Sequence, residues 1–120
     1  MKITFIVSLL LFTFFTTAAQ KPKNGIYTYT VAFAEWQGKS LGTTCTVIIK
    51  GDSITIRHNG KGKLTGKKGD ILERGILLKH TRTGKWIIAH SKKDKDAEHI
   101  GGCTGGPSII DFKNKKYWTC

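Results

Sequence analysis

The segment Thr43–His58, TTCTVIIKGDSITIRH, carries a thiol near one end and an imidazole at the other. An imidazole beside a thiol lowers the thiol pKa and makes a nucleophile of it. Whether Cys45 and His58 meet depends on how the chain between them folds. Two β-rich runs flank Gly51-Asp52. Glycine at the first position of a two-residue loop suits a type II′ turn, whose twist matches a β-hairpin. Folded there, the segment pairs Lys50 with Ser53, Ile49 with Ile54, Val47 with Ile56 and Cys45 with His58. Directly opposed residues have Cβ atoms about 4.5–5.5 Å apart. Cys45 and His58 are therefore the catalytic candidates of this chain. Such a site also needs an orienting group and oxyanion donors, and no motif supplies either. Without them a buried cysteine is a small apolar side chain, so the expectation is a protein that is not an enzyme.

The elements that place this pair follow from alternation. Cys45, Val47, Ile49, Ile54, Ile56 and His58 share one face of the hairpin, and Thr44, Thr46, Ile48, Lys50, Thr55 and Arg57 share the other, more polar one. Before the hairpin, Ile26 to Trp36 is β-branched and aromatic and predicts a long strand with Tyr27, Tyr29, Val31 and Phe33 toward the core. Gln20 to Asn24 is polar and predicts a loose leader. After the hairpin, Asn59-Gly60 is a turn, and Lys61–Lys68 predicts a short basic edge strand. Ile71–His80 and Lys85–His90 flank a Thr81–Gly84 turn, and both faces of that pair are apolar. Ser108–Cys120 predicts a last hairpin with Asn114 near its tip.

About seven or eight short strands joined by close turns predict an all-β antiparallel meander, closed or nearly closed as a barrel. The opening Gly25-Ile26-Tyr27 resembles the Gly-x-Trp that starts the first strand of lipocalins, with Tyr27 in place of tryptophan. The resemblance spans three residues and implies the barrel fold alone.

A wider constellation could take an anion. Arg57, Lys61, Lys63, Lys67, Lys68, Arg82, Lys113, Lys115 and Lys116 fall at turns or on polar strand faces. Trp36, Trp86, Tyr117 and Trp118 are the aromatics near them, and stacking beside a cationic groove uses such sets. Trp86 is expected in the core, whereas Trp118 joins the basic residues as a candidate ligand-binding side chain.

Other chemistry is excluded by spacing. Gly38-Lys39-Ser40 has the tail of a phosphate-binding loop, but Phe33 stands where that loop needs its first glycine. Asp94, Asp96 and Glu98 fall short of a calcium loop, with His99 at the glycine position and Gly105 at the final glutamate position. His58, His80, His90, His99 and Cys45 match no zinc spacing. No metal or other cofactor is called for. Gly101–Ser108, GGCTGGPS, is a glycine-rich loop around Cys103, whose backbone N–H groups could cradle an anion but whose glycines more often serve a tight turn around a disulfide.

Met1-Lys2, the apolar run Ile3–Phe15 and the small residues Thr16–Ala19 have the order of a secretory signal cleaved after Ala19. The run is shorter than the roughly 20 residues that cross a bilayer. Residues 20–120 then form one domain, exported to a periplasmic or extracellular space, with no transmembrane segment after cleavage. The leader holds one of 20 Lys+Arg and none of 8 Asp+Glu, so the remainder carries +11. That excess favours an anionic ligand or polyanion as partner. Three cysteines in an exported domain predict one disulfide and one leftover thiol. Cys103–Cys120 is the preferred bridge, with Cys45–Cys103 and Cys45–Cys120 open. The function expected is a non-enzymatic binding module for an anionic or amphipathic ligand. The alternatives are a protein-interaction domain linked as a dimer through the odd cysteine, and a Cys/His enzyme.

Overall fold

In the computed structural model, which describes residues 20–120, seven β-rich runs become seven strands: β1 (Gly25–Phe33), β2 (Thr44–Lys50), β3 (Ser53–His58), β4 (Ile71–Lys79), β5 (Trp86–Ala89), β6 (Ser108–Asp111) and β7 (Lys116–Thr119). The leader read as a signal, residues 1–19, lies outside the described residues. Each strand pairs with the next in antiparallel fashion, and β7 returns to β1, closing a barrel. Seven is odd, so an up-and-down chain brings its first and last strands together running the same way. The β1–β7 pair is accordingly parallel, with Val31 opposite Tyr117 and Phe33 opposite Thr119.

The central hairpin takes the predicted register, Cys45 opposite His58 through Lys50 opposite Ser53. Gly51 has φ +59°, as its turn requires, and Asp52 is not in the left-handed region. Because the pleat alternates, one side chain in two points inward from every strand. Tyr29, Val31 and Phe33, Cys45, Val47 and Ile49, Ile54 and Ile56, Leu77, Ile88, Ile110 and Tyr117 fill the interior as one cluster, with Phe112 at its edge. A small barrel filled this way is a packed core, unlike a lipocalin-type ligand cup.

Three local readings are corrected. The first strand stops at Phe33 and not at Trp36. Ala34–Trp36 form a 3-10 turn and Gln37 enters the left-handed region, so Gly38 N–H can donate back to Phe33 O at 2.8 Å. Lys61–Lys68 is no edge strand. Gly60, Gly62, Gly66 and Gly69 all have positive φ, which breaks extended pairing, and a closed barrel has no edge there to protect. Residues 20–24 are not loose, for Lys21 Nζ donates to Asp52 Oδ1 at 2.8 Å and Gly51 N–H donates to Asn24 Oδ1 at 2.8 Å.

The apolar outer face of the β4–β5 pair is explained by the long connection from β5 to β6. Its 3-10 segment Lys92–Asp96 packs on β4 and β5, and Ile87 and Ala89 are buried. His80 pins that connection from below: its Nε2 donates to Ala97 O at 2.7 Å and its Nδ1 accepts from Thr83 Oγ1 at 2.9 Å. With alternating strands, residues 51–52, 80–85 and 112–115 turn at one end of the barrel. Residues 34–43 and 59–70 turn at the other, where the 90–107 connection also starts and finishes.

Candidate functional site

Cys45 and His58 stand opposite each other, as the register demands, but they do not form a reactive pair. Gly60 N–H donates to His58 Nδ1 at 2.8 Å, and His58 Nε2 bonds Leu64 O at 3.1 Å. A carbonyl only accepts, so the ring proton sits on Nε2. Neither nitrogen is left to take a proton from the thiol. Cys45 is 0 % exposed. Burial, offset in part by a backbone hydrogen bond from Tyr29, pushes its thiol up to about 12, so it stays protonated at neutral pH. His58 acts as a clamp for the 59–70 connection, the counterpart of His80 at the other end.

The two remaining cysteines are joined. The Cys103–Cys120 disulfide closes a loop spanning the whole β6–β7 hairpin. The leftover thiol is thus the buried one, and no accessible thiol among the described residues can link two chains.

The basic residues divide between the two ends. Lys61, Lys63, Lys67 and Lys68 are exposed on the 59–70 connection, with Arg57 at its root, where its Nη1 donates to Gly69 O at 2.7 Å. Arg82, Lys113 and Lys115 are exposed on the opposite turns, and Lys116 is half-buried at the start of β7. Of the aromatics, Tyr117 is core at 4 % exposure and donates to Glu73 Oε1 at 2.8 Å. Burial, and then the Glu73 charge, holds its phenol far above the usual range. Trp86, expected in the core, is half-buried at its margin, packing edge-on against Phe112 with Lys79 over its ring.

Trp118 is different. It points outward from β7 and forms one wall of a groove of about 370 Å³ on the outside of the barrel, lined also by Ala34, Gly102, Ile109, Lys85 and Asp111. Ile109 lies opposite Ile87 on the outer face of β6, and Asp111 lies opposite Lys116. The lining is mostly apolar, with its charges at the end near Lys85. Asp111 is already engaged, since its two oxygens accept from Asn114 N–H at 3.0 Å and Asn114 Nδ2 at 2.8 Å. Asp111 keeps its negative charge in these bonds, but Lys85 on the groove lining and Lys116 opposite Asp111 across the β6–β7 pair outnumber it, so that end is cationic on balance. Such a cleft has an apolar floor and a cation at one end, the usual plan of a small-molecule site.

Of the six groove residues, sequence reasoning singled out Trp118 by itself and reached Gly102 only as part of the Gly101–Ser108 loop. The six come from five separate segments, Ile109 and Asp111 sharing β6, and only the fold gathers them. The one further signal available was Ile109 itself, an apolar residue whose parity puts it on the outer face between two inward ones. Among the described residues, no group of three or more His, Cys, Asp and Glu side chains could hold a metal ion. No helix among them is long and apolar enough to cross a membrane. No known protein family, curated protein or solved structure matches this chain.

Proposed function

We propose that this chain is an exported, non-enzymatic binding module, and that it takes a small amphipathic anion in the groove beside Trp118. One observation carries the reading: Trp118, Ile109 and Ala34 supply an apolar lining that ends at Lys85, and with Lys116 opposite Asp111 the lysines at that end outnumber the carboxylate. An aliphatic or aromatic body lies on the floor, and one carboxylate or phosphate meets the Lys85 ammonium. The predicted signal segment and the disulfide are in keeping with an exported setting. The buried, protonated thiol and the committed imidazole weigh against the Cys/His enzyme.

Titration with dodecanoate, followed by tryptophan emission and calorimetry, tests this. Dodecanoate is expected to bind more tightly than dodecylammonium. Trp118→Ala should weaken it about tenfold or more through lost apolar contact, and Lys85→Glu should reverse the preference for the anion. Equal binding of the two amphiphiles, or unchanged binding by Trp118→Ala, would overturn the proposal.

A further inference from the structure

The barrel end formed by residues 34–43 and 59–70 borders the groove at Ala34 but has a character of its own. Three of the five large apolar side chains exposed among the described residues lie at this end: Trp36 at 41 % and Leu41 at 52 %, which line one pocket, and Ile71 at 43 %, the first residue of β4. Leu41 also has φ +50°, a backbone region that suits glycine or asparagine, so neither packing nor turn geometry calls for leucine. Trp36 leans on Phe33, with ring centroids 4.8 Å apart, and shows the rest of its indole to solvent. The two connections are joined to each other, for Lys63 N–H donates to Thr43 Oγ1 at 2.8 Å and Asn59 Nδ2 to Thr44 Oγ1 at 2.6 Å.

Around these apolar tips the charge is one-sided. Residues 34–43 and 57–70 hold six cationic side chains, Lys39, Arg57, Lys61, Lys63, Lys67 and Lys68, against two carboxylates, Glu35 and Asp70. One of those two, Asp70, accepts Lys67 N–H at 2.9 Å inside its own turn. The lysines are exposed on a connection held rigid by Leu64 against the core and by the His58 clamp.

We propose that this end of the barrel docks on a bilayer of anionic phospholipid. Tryptophan and leucine at loop tips enter the interfacial region, where an indole is at home. Lysines around them meet the lipid phosphates, each contributing through the negative surface potential. Lysine supplies a point charge suited to many headgroup arrangements, while arginine would favour a fixed bidentate partner. A nucleic acid or a sulfated glycan would use the lysines but leave Leu41 and Ile71 without a role. That asymmetry selects the bilayer.

Flotation of the full chain with phosphatidylcholine vesicles, and with vesicles mixing phosphatidylcholine and phosphatidylglycerol, tests the proposal. Wild type should bind the mixed vesicles, less at high salt. The pair Trp36→Ser/Leu41→Ser should lower partition about tenfold, and replacing Lys61, Lys63, Lys67 and Lys68 by Gln should lower it on the order of a hundredfold. Residues 1–19 contain no tryptophan, so brominated lipid reports this end without interference from the leader. Quenching present in wild type should vanish in Trp36→Phe, a variant that keeps the ring against Phe33. Unchanged partition of both multiple variants, with Trp36 unquenched, would show that another part of the chain meets lipid and would overturn the proposal. Binding to heparin or duplex DNA with no flotation would overturn it in favour of a soluble polyanion.

Discussion

Cys45 shows how position on a strand decides chemistry. The same alternation that sets it opposite His58 also sends it into the core, where water cannot support a thiolate. Its thiol is raised from about 9 to about 12 by burial, and Tyr29, its neighbour across the β1–β2 pair, is raised to about 12, chiefly by burial and then by the charges of Tyr27 and Asp111. Both groups are acids whose folded pKa lies above the unfolded one. Between those values the native chain holds protons that the unfolded chain has released, so stability falls as pH rises through that window. Below about pH 9 they contribute nothing that changes with pH. Alkylation with iodoacetamide reads the same fact directly. At pH 8 the native thiol should react about a thousandfold more slowly than the thiol in urea, in proportion to its thiolate fraction. A native rate at pH 8 matching that of an ordinary exposed cysteine would restore the nucleophile.

At the scale of elements, what the sequence revealed and what it hid divide along alternation. Residues 44–58 alternate with one exception, Ile48 on the outer face, and a single glycine–aspartate tip leaves one register that buries one face; it is the register observed. The 108–120 hairpin and its disulfide were legible for the same reason, with the cysteines falling at a loop and a strand end. Residues 59–70 have no alternation to follow. Lysines and glycines suit an exposed edge and a rigid loop equally, and the deciding facts are non-local. Gly62 has φ +87°, and a Cβ there would lie 2.4 Å from Thr43 Cα. Gly62→Ala is therefore expected to cost about 1–3 kcal/mol, lowering the thermal midpoint. Amide exchange should also speed up at Gly60 and Lys63, whose N–H groups donate to His58 Nδ1 and Thr43 Oγ1. Gly42→Ala, where no atom lies within 4 Å, separates crowding from backbone conformation, because it shares the positive φ without the clash. Equal losses in the two variants would show that the close approach of the connection to Thr43 contributes nothing.

For the molecule as a whole, closure is the critical step, and it rests on the shortest strands. β6 shares two residue pairs with β5 and two with β7, while β2 and β3 share six. The parallel β1–β7 seam is also the contact most distant in sequence, so it gains nothing from a tight turn. The Cys103–Cys120 bridge spans this weak sector, tying the end of β7 to the loop that precedes β6. In the chain-entropy model a loop of that length stabilises the fold by about 3 kcal/mol. The same bridge holds the groove together, because Gly102 precedes one of its cysteines and Trp118 stands two residues before the other. Paired Cys103→Ser and Cys120→Ser substitutions should thus have two separable effects. Urea unfolding should shift by about 3 kcal/mol, and amide exchange should quicken in β6 and β7 well before β2 and β3. Dodecanoate affinity should fall under conditions where the β2–β3 hairpin is still fully protected, because the two walls of the groove come apart while the barrel beneath them stands. Uniformly faster exchange in all seven strands would mean that the barrel opens as one unit and that the bridge has no local role at the groove.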